Sequence, residues 1–194
     1  MEDLESTTVP YEPDEQIVGR ILAGNSYDFR IIMERYTPKL QRYAHTYIFT
    51  REQREDLLQD IFLKAYMHLR DYDPHRSFSP WIYRIAHNVF INAIRSRSRT
   101  PVFSVDWDVV FPHPSSRERT DTAILHKELA EQLEVCMDSI PQKYRESLAL
   151  CYFEDMDYQS ISQILRIPVS TVGVRLNRGR TLLRKAWEGM HPPV

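Results

Sequence analysis

The sequence predicts an all-α protein made of two small helical domains joined by a flexible linker, and three observations carry that expectation. Apolar residues recur three or four positions apart almost throughout the chain, the spacing of one helix face. Five glycines in 194 residues argue against a glycine-rich phosphate loop or a dinucleotide crevice. The long interruption TPVFSVDWDVVFPHPSSRERT holds three prolines and several serines and keeps no period. These place a first domain at residues 14–100, a linker at 101–121 with Val105, Trp107 and Phe111 as apolar anchors, and a second domain at 122–188. A chain of this length that is 42% hydrophobic holds one medium core or two small ones.

The N-terminal MEDLESTTVPYEPDEQ is acidic where a secretion signal is basic and then apolar, and no apolar run approaches the roughly 18 residues of a membrane span. A cytoplasmic protein without membrane insertion is expected. Further along, DLLQDIFLKAY reads as a two-faced helix. Leu58, Phe62, Ala65 and Leu69 form its core stripe, and Asp56, Gln59, Asp60 and Leu63 form the opposite face. A polar face with one apolar centre suits a protein partner.

The segment from Pro80 to Arg95 reads as the next helix, with Ile82, Ile85, Ala86, Val89 and Ala93 on its core stripe. Trp81, Arg84, Asn88, Asn92 and Arg95 share a different face. Amides and guanidiniums donate to base edges and phosphates, and an aromatic ring stacks on an unpaired base for about 1–3 kcal/mol. A helix with a buried Trp and scattered polar residues is the other reading of the same pattern.

Near the C-terminus, YQSISQIL places Ile161, Ile164 and Leu165 at helical spacing. RIPVS then makes a short turn, with Pro168 stopping one helix and Ser170 expected as N-cap of the next. On that second helix Val172, Leu176, Gly179 and Leu183 make a packing stripe, and Thr171, Arg175 and Arg178 make another. This fits the recognition helix of a helix-turn-helix, which reaches base edges in the major groove. A helical hairpin with a basic outer face is the alternative.

Charge is segregated, although the formal net charge is only −2. Acid dominates the first 28 residues and the stretch from Asp106 to Asp138. Base dominates Arg84 to Arg99 and Arg166 to Lys185, neither of which contains an acidic residue. Such patches suit phosphate contact, and an acidic remainder limits indiscriminate binding. Cys136 and Cys151 lie in apolar helical patterns and are expected as buried free thiols. The seven histidines show no metal spacing, no nucleophile elbow or phosphate loop appears, and neither a metal, a cofactor nor enzymatic activity is expected.

The order DLLQDIFLKAY, DYDPHRSFSPWIYRIAHNVFINAIR, a variable linker, then SIPQKYRESLALCYFEDMDYQSISQILRIPVSTVGVRLNRGRTLLRKAW resembles the extracytoplasmic-function (ECF) sigma factors of the sigma-70 superfamily. The resemblance spans nearly everything from Asp14 to Trp187. It implies a bacterial initiation factor that binds core RNA polymerase, reads the −35 and −10 promoter elements and opens the duplex. The first domain would be sigma region 2, with Asp56, Gln59, Asp60 and Leu63 on the β′ clamp helices. Arg76, Ser77 and Phe78 would pocket an extruded −10 base, at a cost of a few kcal/mol, and Asn88 and Asn92 would read neighbouring pairs. The second domain would be region 4, with Ser170, Thr171, Arg175 and Arg178 on the −35 element and a further contact to the β flap. Asp106 and Asp108 of the linker would thread toward the polymerase cleft. The family also implies an anti-sigma partner.

The chain departs from the family pattern at Gly173 and Val174, where many members carry Lys and Ser, and at Asn92, where many carry Asp. These departures bear on which promoter is read. A two-domain helix-turn-helix regulator that does not engage polymerase is the alternative function, and the exposed face of DLLQDIF argues against it.

Overall fold

The computed structural model describes residues 12–47, 49–97 and 120–191, with the side chains of 97 and 120–128 left aside. Every regular element among the described residues is helical, and no helix among them is long and apolar enough to cross a membrane. The N-terminal unit contains α1 (Asp14–Leu22), α2 (Phe29–His45), α3 (Arg51–Met67) and α4 (Phe78–Arg97). The C-terminal unit contains α5 (Thr120–Asp138), α6 (Gln142–Tyr152), α7 (Tyr158–Leu165) and α8 (Val169–Met190).

Local chemistry sets the ends of the first helices. Gly24, at φ +114°, makes the turn that releases α1, a conformation costly for any residue with a Cβ. Helix α3 opens on a capping box: the Gln53 amide donates to Thr50 Oγ1 at 3.4 Å, and the Thr50 amide donates to Gln53 Oε1 at 3.0 Å. Helix α4 begins at Phe78, two residues before the expected Pro80. Its first amide is satisfied from α1, by Glu15 Oε1 at 2.9 Å. Asp14, at the start of α1, accepts from the buried Tyr36 hydroxyl at 2.6 Å and pairs with Arg35, tying α1 to α2.

Aromatic rings fill the N-terminal core. Phe78 meets Tyr36 edge-on at 5.6 Å, Tyr36 meets Tyr83 at 6.4 Å, and Tyr83 meets Tyr43 at 5.4 Å. Tyr43 then meets Tyr47 at 5.4 Å, and Tyr47 meets Phe90 at 5.0 Å. Such contacts contribute beyond their buried area. The expected stripe of α4 is confirmed by the burial of Ile82, Ala86 and Val89, with Ile85 and Ala93 partly buried, and Tyr83 and Phe90 extend it. Leu58, Phe62, Ala65 and Leu69 are buried as expected.

In the C-terminal unit, α8 is the central helix, packed by α5, α6 and α7. Val172, Leu176 and Gly179 form its buried stripe and Leu183 is half-buried. Gly179 marks a close approach, because a Cβ there would lie 3.1 Å from two carbons of Leu148 on α6 and would force that side chain to shift by a few tenths of an ångström. Cys136 is buried and Cys151 half-buried, and both are free thiols.

The two units are not separate bodies. Helix α4 packs on α7 and α2 on α6, and one apolar cluster runs from Ile17 of α1 to Leu176 of α8. The two helical regions expected from the sequence are both present among the described residues, and they are docked on one another. The linker anchors Val105, Trp107 and Phe111, and the acidic Asp106 and Asp108, lie outside the described residues.

Because Phe78 is fully buried among Tyr36, Tyr72 and Trp81, Phe78→Ala is expected to lower unfolding free energy by about 3–5 kcal/mol. Urea denaturation followed by far-ultraviolet circular dichroism measures this, and a loss under about 1 kcal/mol would contradict the core role.

Candidate nucleic-acid interface

Three features build the helix-turn-helix. Asp157 caps α7, its Oδ1 accepting the Ser160 amide at 2.7 Å, and that hydrogen bond holds the carboxyl below its usual range. Helix α7 ends on Arg166 in the left-handed region (φ 53°, ψ 47°). Ser162 Oγ then donates to the Ile167 carbonyl at 2.6 Å and closes the turn. Pro168, extended at ψ 145°, is the N-cap of α8 and makes no side-chain cap bond. The expected capping role of Ser170 is thus corrected. Ser170 is the second helical residue, and its exposed side chain stands on the outer surface.

That placement rotates the reading face of α8. Ser170 and Arg178 are exposed and Thr171 is half-buried. Arg175 turns inward instead, its Nη1 donating to Glu146 Oε1 of α6 at 3.2 Å. Val174, 51% exposed, and Asn177 occupy the outward face between Ser170 and Arg178. Neither was singled out from the sequence, although spacings of four and seven from Ser170 place both on its face. Arg178 lies beside the Tyr144 hydroxyl and, with Lys143, lowers its pKa.

On α4 the structure brings Trp81, Arg84, Asn88, Asn92 and Arg95 to one face. Arg84, Asn92 and Arg95 are exposed, and Trp81 and Asn88 are half-buried. Trp81 rests edge-on against Tyr72 at 5.5 Å. The preceding loop is held by Asp73, whose side chain accepts the His75 amide at 3.0 Å and pairs with Arg76 at 3.3 Å. Arg76 and Ser77 are exposed. Phe78 is not available to a base: it is fully buried, and its place in the proposed pocket is corrected to a support beneath the loop.

On α3, Asp56 and Gln59 are exposed, Asp60 is half-buried and pairs with Lys64, and Leu63 is 59% exposed. Tyr66 and Met67 extend this face as exposed apolar groups one turn on.

Between the units lies a buried polar junction that no local pattern announced. Tyr47 Oη donates to Glu146 Oε2 at 3.1 Å. Its oxygen is then the acceptor for Tyr43 Oη at 2.8 Å and for His87 Nδ1 at 2.9 Å, which puts the proton of neutral His87 on Nδ1. Burial, reinforced by Arg166, Arg175 and Arg95, holds His87 down to about 4, so its 3.8 Å contact with Glu146 is not an ion pair at neutral pH. Burial pushes Glu146 up to about 7 against the opposing pull of Tyr47 and Arg175. A second carboxylate, Glu154, accepts from Tyr83 and pairs with Arg42 at 3.3 Å, and burial raises its pKa as well. Glu134 lies 3.5 Å from His45; burial pushes the carboxyl up to about 7 and the imidazole down to about 4.

Comparison with known proteins agrees with this layout. Residues 32–100 match the family Sigma-70 region 2, and residues 130–183 match Sigma-70, region 4. The chain is 29% identical over 176 residues to the ECF RNA polymerase sigma factor SigW of Bacillus subtilis (strain 168), covering 87% of this chain and 93% of that one. It is 31% identical over 135 residues to the RNA polymerase sigma factor SigZ of the same organism, covering 70% and 73%. Among solved structures, CnrH in complex with the cytosolic domain of CnrY superposes with a TM-score of 0.68 at 22% identity, over 92% of this chain and 99% of that one. The sigma factor RpoE in complex with the anti-sigma factor NepR from Bartonella quintana gives the same score at 20% identity, over 83% and 97%.

Because Asp157 caps the first helix of the helix-turn-helix, Asp157→Ala is expected to cost about 1 kcal/mol of stability at neutral pH, and Asp157→Asn much less. The folded carboxyl titrates below its unfolded value, so this contribution is present above the unfolded pKa and is lost as pH falls through the folded one. Urea titrations at pH 7 and in the acid range measure the difference, and an Ala penalty that persists unchanged in acid would contradict the charged cap.

Proposed function

Since the chain belongs to the ECF sigma factors of the sigma-70 superfamily and directs RNA polymerase to promoters, we propose which of its surfaces does each part of that work. The N-terminal unit acts as region 2 and the C-terminal unit as region 4. Helix α8 enters the major groove of the −35 element with Ser170, Thr171 and Arg178. Arg175 joins them once it leaves Glu146. The Val174 methyls suit the methyl group of a thymine, and the Asn177 amide suits an adenine edge.

Helix α4 and its preceding loop act on the −10 element. Trp81 offers a ring to an unpaired base, Asn88 and Asn92 offer amides to base edges, and Arg84 and Arg95 hold phosphates. Arg76 and Ser77 rim the pocket for an extruded base. Asp56, Gln59, Asp60 and Leu63, widened by Tyr66 and Met67, form the surface for the β′ clamp helices, and the C-terminal unit meets the β flap. An anti-sigma protein is the expected inhibitor. Two solved neighbours in fold, CnrH with the cytosolic domain of CnrY and RpoE with the anti-sigma factor NepR, support that partner class.

One observation carries this assignment: α8 from Ser170 to Lys185 and α4 from Trp81 to Arg95 each turn a polar, basic face without an acidic residue outward, one in each unit of a chain whose net charge is negative. Reconstitution with core polymerase, followed by mapping of transcription starts, tests it as a whole. Arg178→Ala is expected to cost about 1–3 kcal/mol on the matched −35 sequence and to relax discrimination there. Equal losses on matched and mismatched duplexes would remove Arg178 from base reading. Asp56→Lys with Asp60→Lys is expected to weaken core polymerase binding through charge reversal at a complementary rim. Unchanged affinity in a competition assay would count against the clamp surface.

A further inference from the structure

Val174 is the most exposed apolar side chain of α8, at 51%, and it stands outside the apolar cluster that makes the core. Ser170 one turn before it and Asn177 and Arg178 one turn after it are exposed as well, so polar groups surround it on the outward face. A base pair seen from the major groove has a similar make-up: donors, acceptors and one apolar group, the C5-methyl of thymine. Gly173 sets the approach. A valine side chain is short and stiff at χ1, and it touches a base only where the helix backbone comes close to the groove floor. The residue before it has no side chain to hold the helix away. The fold does not impose that absence, since a Cβ at Gly173 would lie 3.7 Å from the Tyr158 ring, an ordinary contact.

We propose that Val174 reads the C5-methyl group of one pyrimidine in the −35 element, so that this chain accepts thymine and 5-methylcytosine alike at that position and its promoter binding responds to cytosine methylation. This inference rests on the assignment of α8 to the major groove given above. A valine senses the methyl group and not the polar atom beside it, which is O4 in thymine and the N4 amino group in cytosine. Asn177 does not restore the distinction, because its amide offers a donor to O4 as readily as an acceptor to the N4 amino group. Arg178, on the same face, is suited to a neighbouring guanine, which it contacts through two acceptors. Polar reading and methyl reading are thus divided between adjacent side chains. The serine that many family members carry at this position bonds to either kind of base edge and gains little from a methyl group.

The test uses the full chain reconstituted with core polymerase, on a promoter found by mapping transcription starts. Every pyrimidine of the −35 element, on both strands, is switched one at a time between its methylated and unmethylated form, thymine to uracil and cytosine to 5-methylcytosine, and affinity is measured by competition. At one thymine, uracil is expected to weaken wild-type binding about fourfold, the effect of exposing one buried methyl-sized group. With a C·G pair at that place, methylation of the cytosine is expected to recover about the same factor. In Val174→Ser both effects are expected to disappear, and in Val174→Ala to shrink. Val174 is exposed, so neither variant disturbs the core, and circular dichroism checks helix content. Wild-type binding that ignores the methyl group at every position, while Arg178→Ala still relaxes discrimination, would overturn the methyl reading and leave α8 in the groove. Equal methyl dependence in wild type and Val174→Ser would overturn it too, because another residue then senses the methyl group. Loss of both the methyl dependence and the Arg178→Ala effect would overturn the assignment of α8 itself.

Discussion

The arrangement of this chain depends on the requirement that a buried hydroxyl or carboxylate find a partner. The N-terminal core is built from tyrosines, and a tyrosine packed by its ring must still place its oxygen. Tyr36 does so locally, on Asp14 of α1. Tyr47 and Tyr83 do so across the unit boundary, on Glu146 and Glu154. Burial raises the pKa of all four of these cross-boundary groups. A ring-filled core in one half and carboxylates in the other thus fix how the halves dock. The apolar contact of α4 with α7 supplies area, and the polar contacts supply register.

The same carboxylates organise charge. The C-terminal unit turns Glu134, Glu146 and Glu154 inward toward the N-terminal unit. It leaves Arg178, Arg180, Arg184 and Lys185 on its surface. A chain that is acidic in total presents positive faces because part of its acid is spent inside. Net charge alone conceals this, since it counts a buried Glu and an exposed Arg as cancelling although DNA meets only the second.

Helical spacing made the regular parts of the structure legible. The buried stripe of α8, the two faces of α3 and the outward face of α4 follow from residues three and four apart, a period that holds wherever a helix has one dry side. What escaped was of two kinds. Boundary details shifted: α4 begins at Phe78, so an aromatic that reads as a loop residue is core, and α8 begins at Val169, so Ser170 is a surface residue and not a cap. The turn itself is made by Arg166 in a left-handed conformation, for which sequence offers glycine or asparagine as the usual signs. The junction escaped for a different reason. Tyr47 and Glu146 are 99 positions apart and Arg42 and Glu154 are 112 apart, beyond any local period. A buried Glu also reads in sequence like any solvated Glu.

Geometry also explains the departure at Gly173 and Val174. A Cβ at Gly173 would lie 3.7 Å from the Tyr158 ring, an ordinary contact, and Val174 points to solvent. Packing therefore demands neither residue, in contrast to Gly179, where a Cβ would press on the Leu148 side chain at 3.1 Å. The fold would accept a lysine at 173 and a serine at 174. The absence of both is consequently a property of the surface. It removes a cation and a hydroxyl from the start of the proposed reading helix and leaves two methyl groups in their place. On such a surface less of the affinity comes from phosphate charge, which is indifferent to sequence, and more from base edges, which are not. If α8 reads the −35 element as proposed, it depends on its target sequence more than a lysine-bearing helix would.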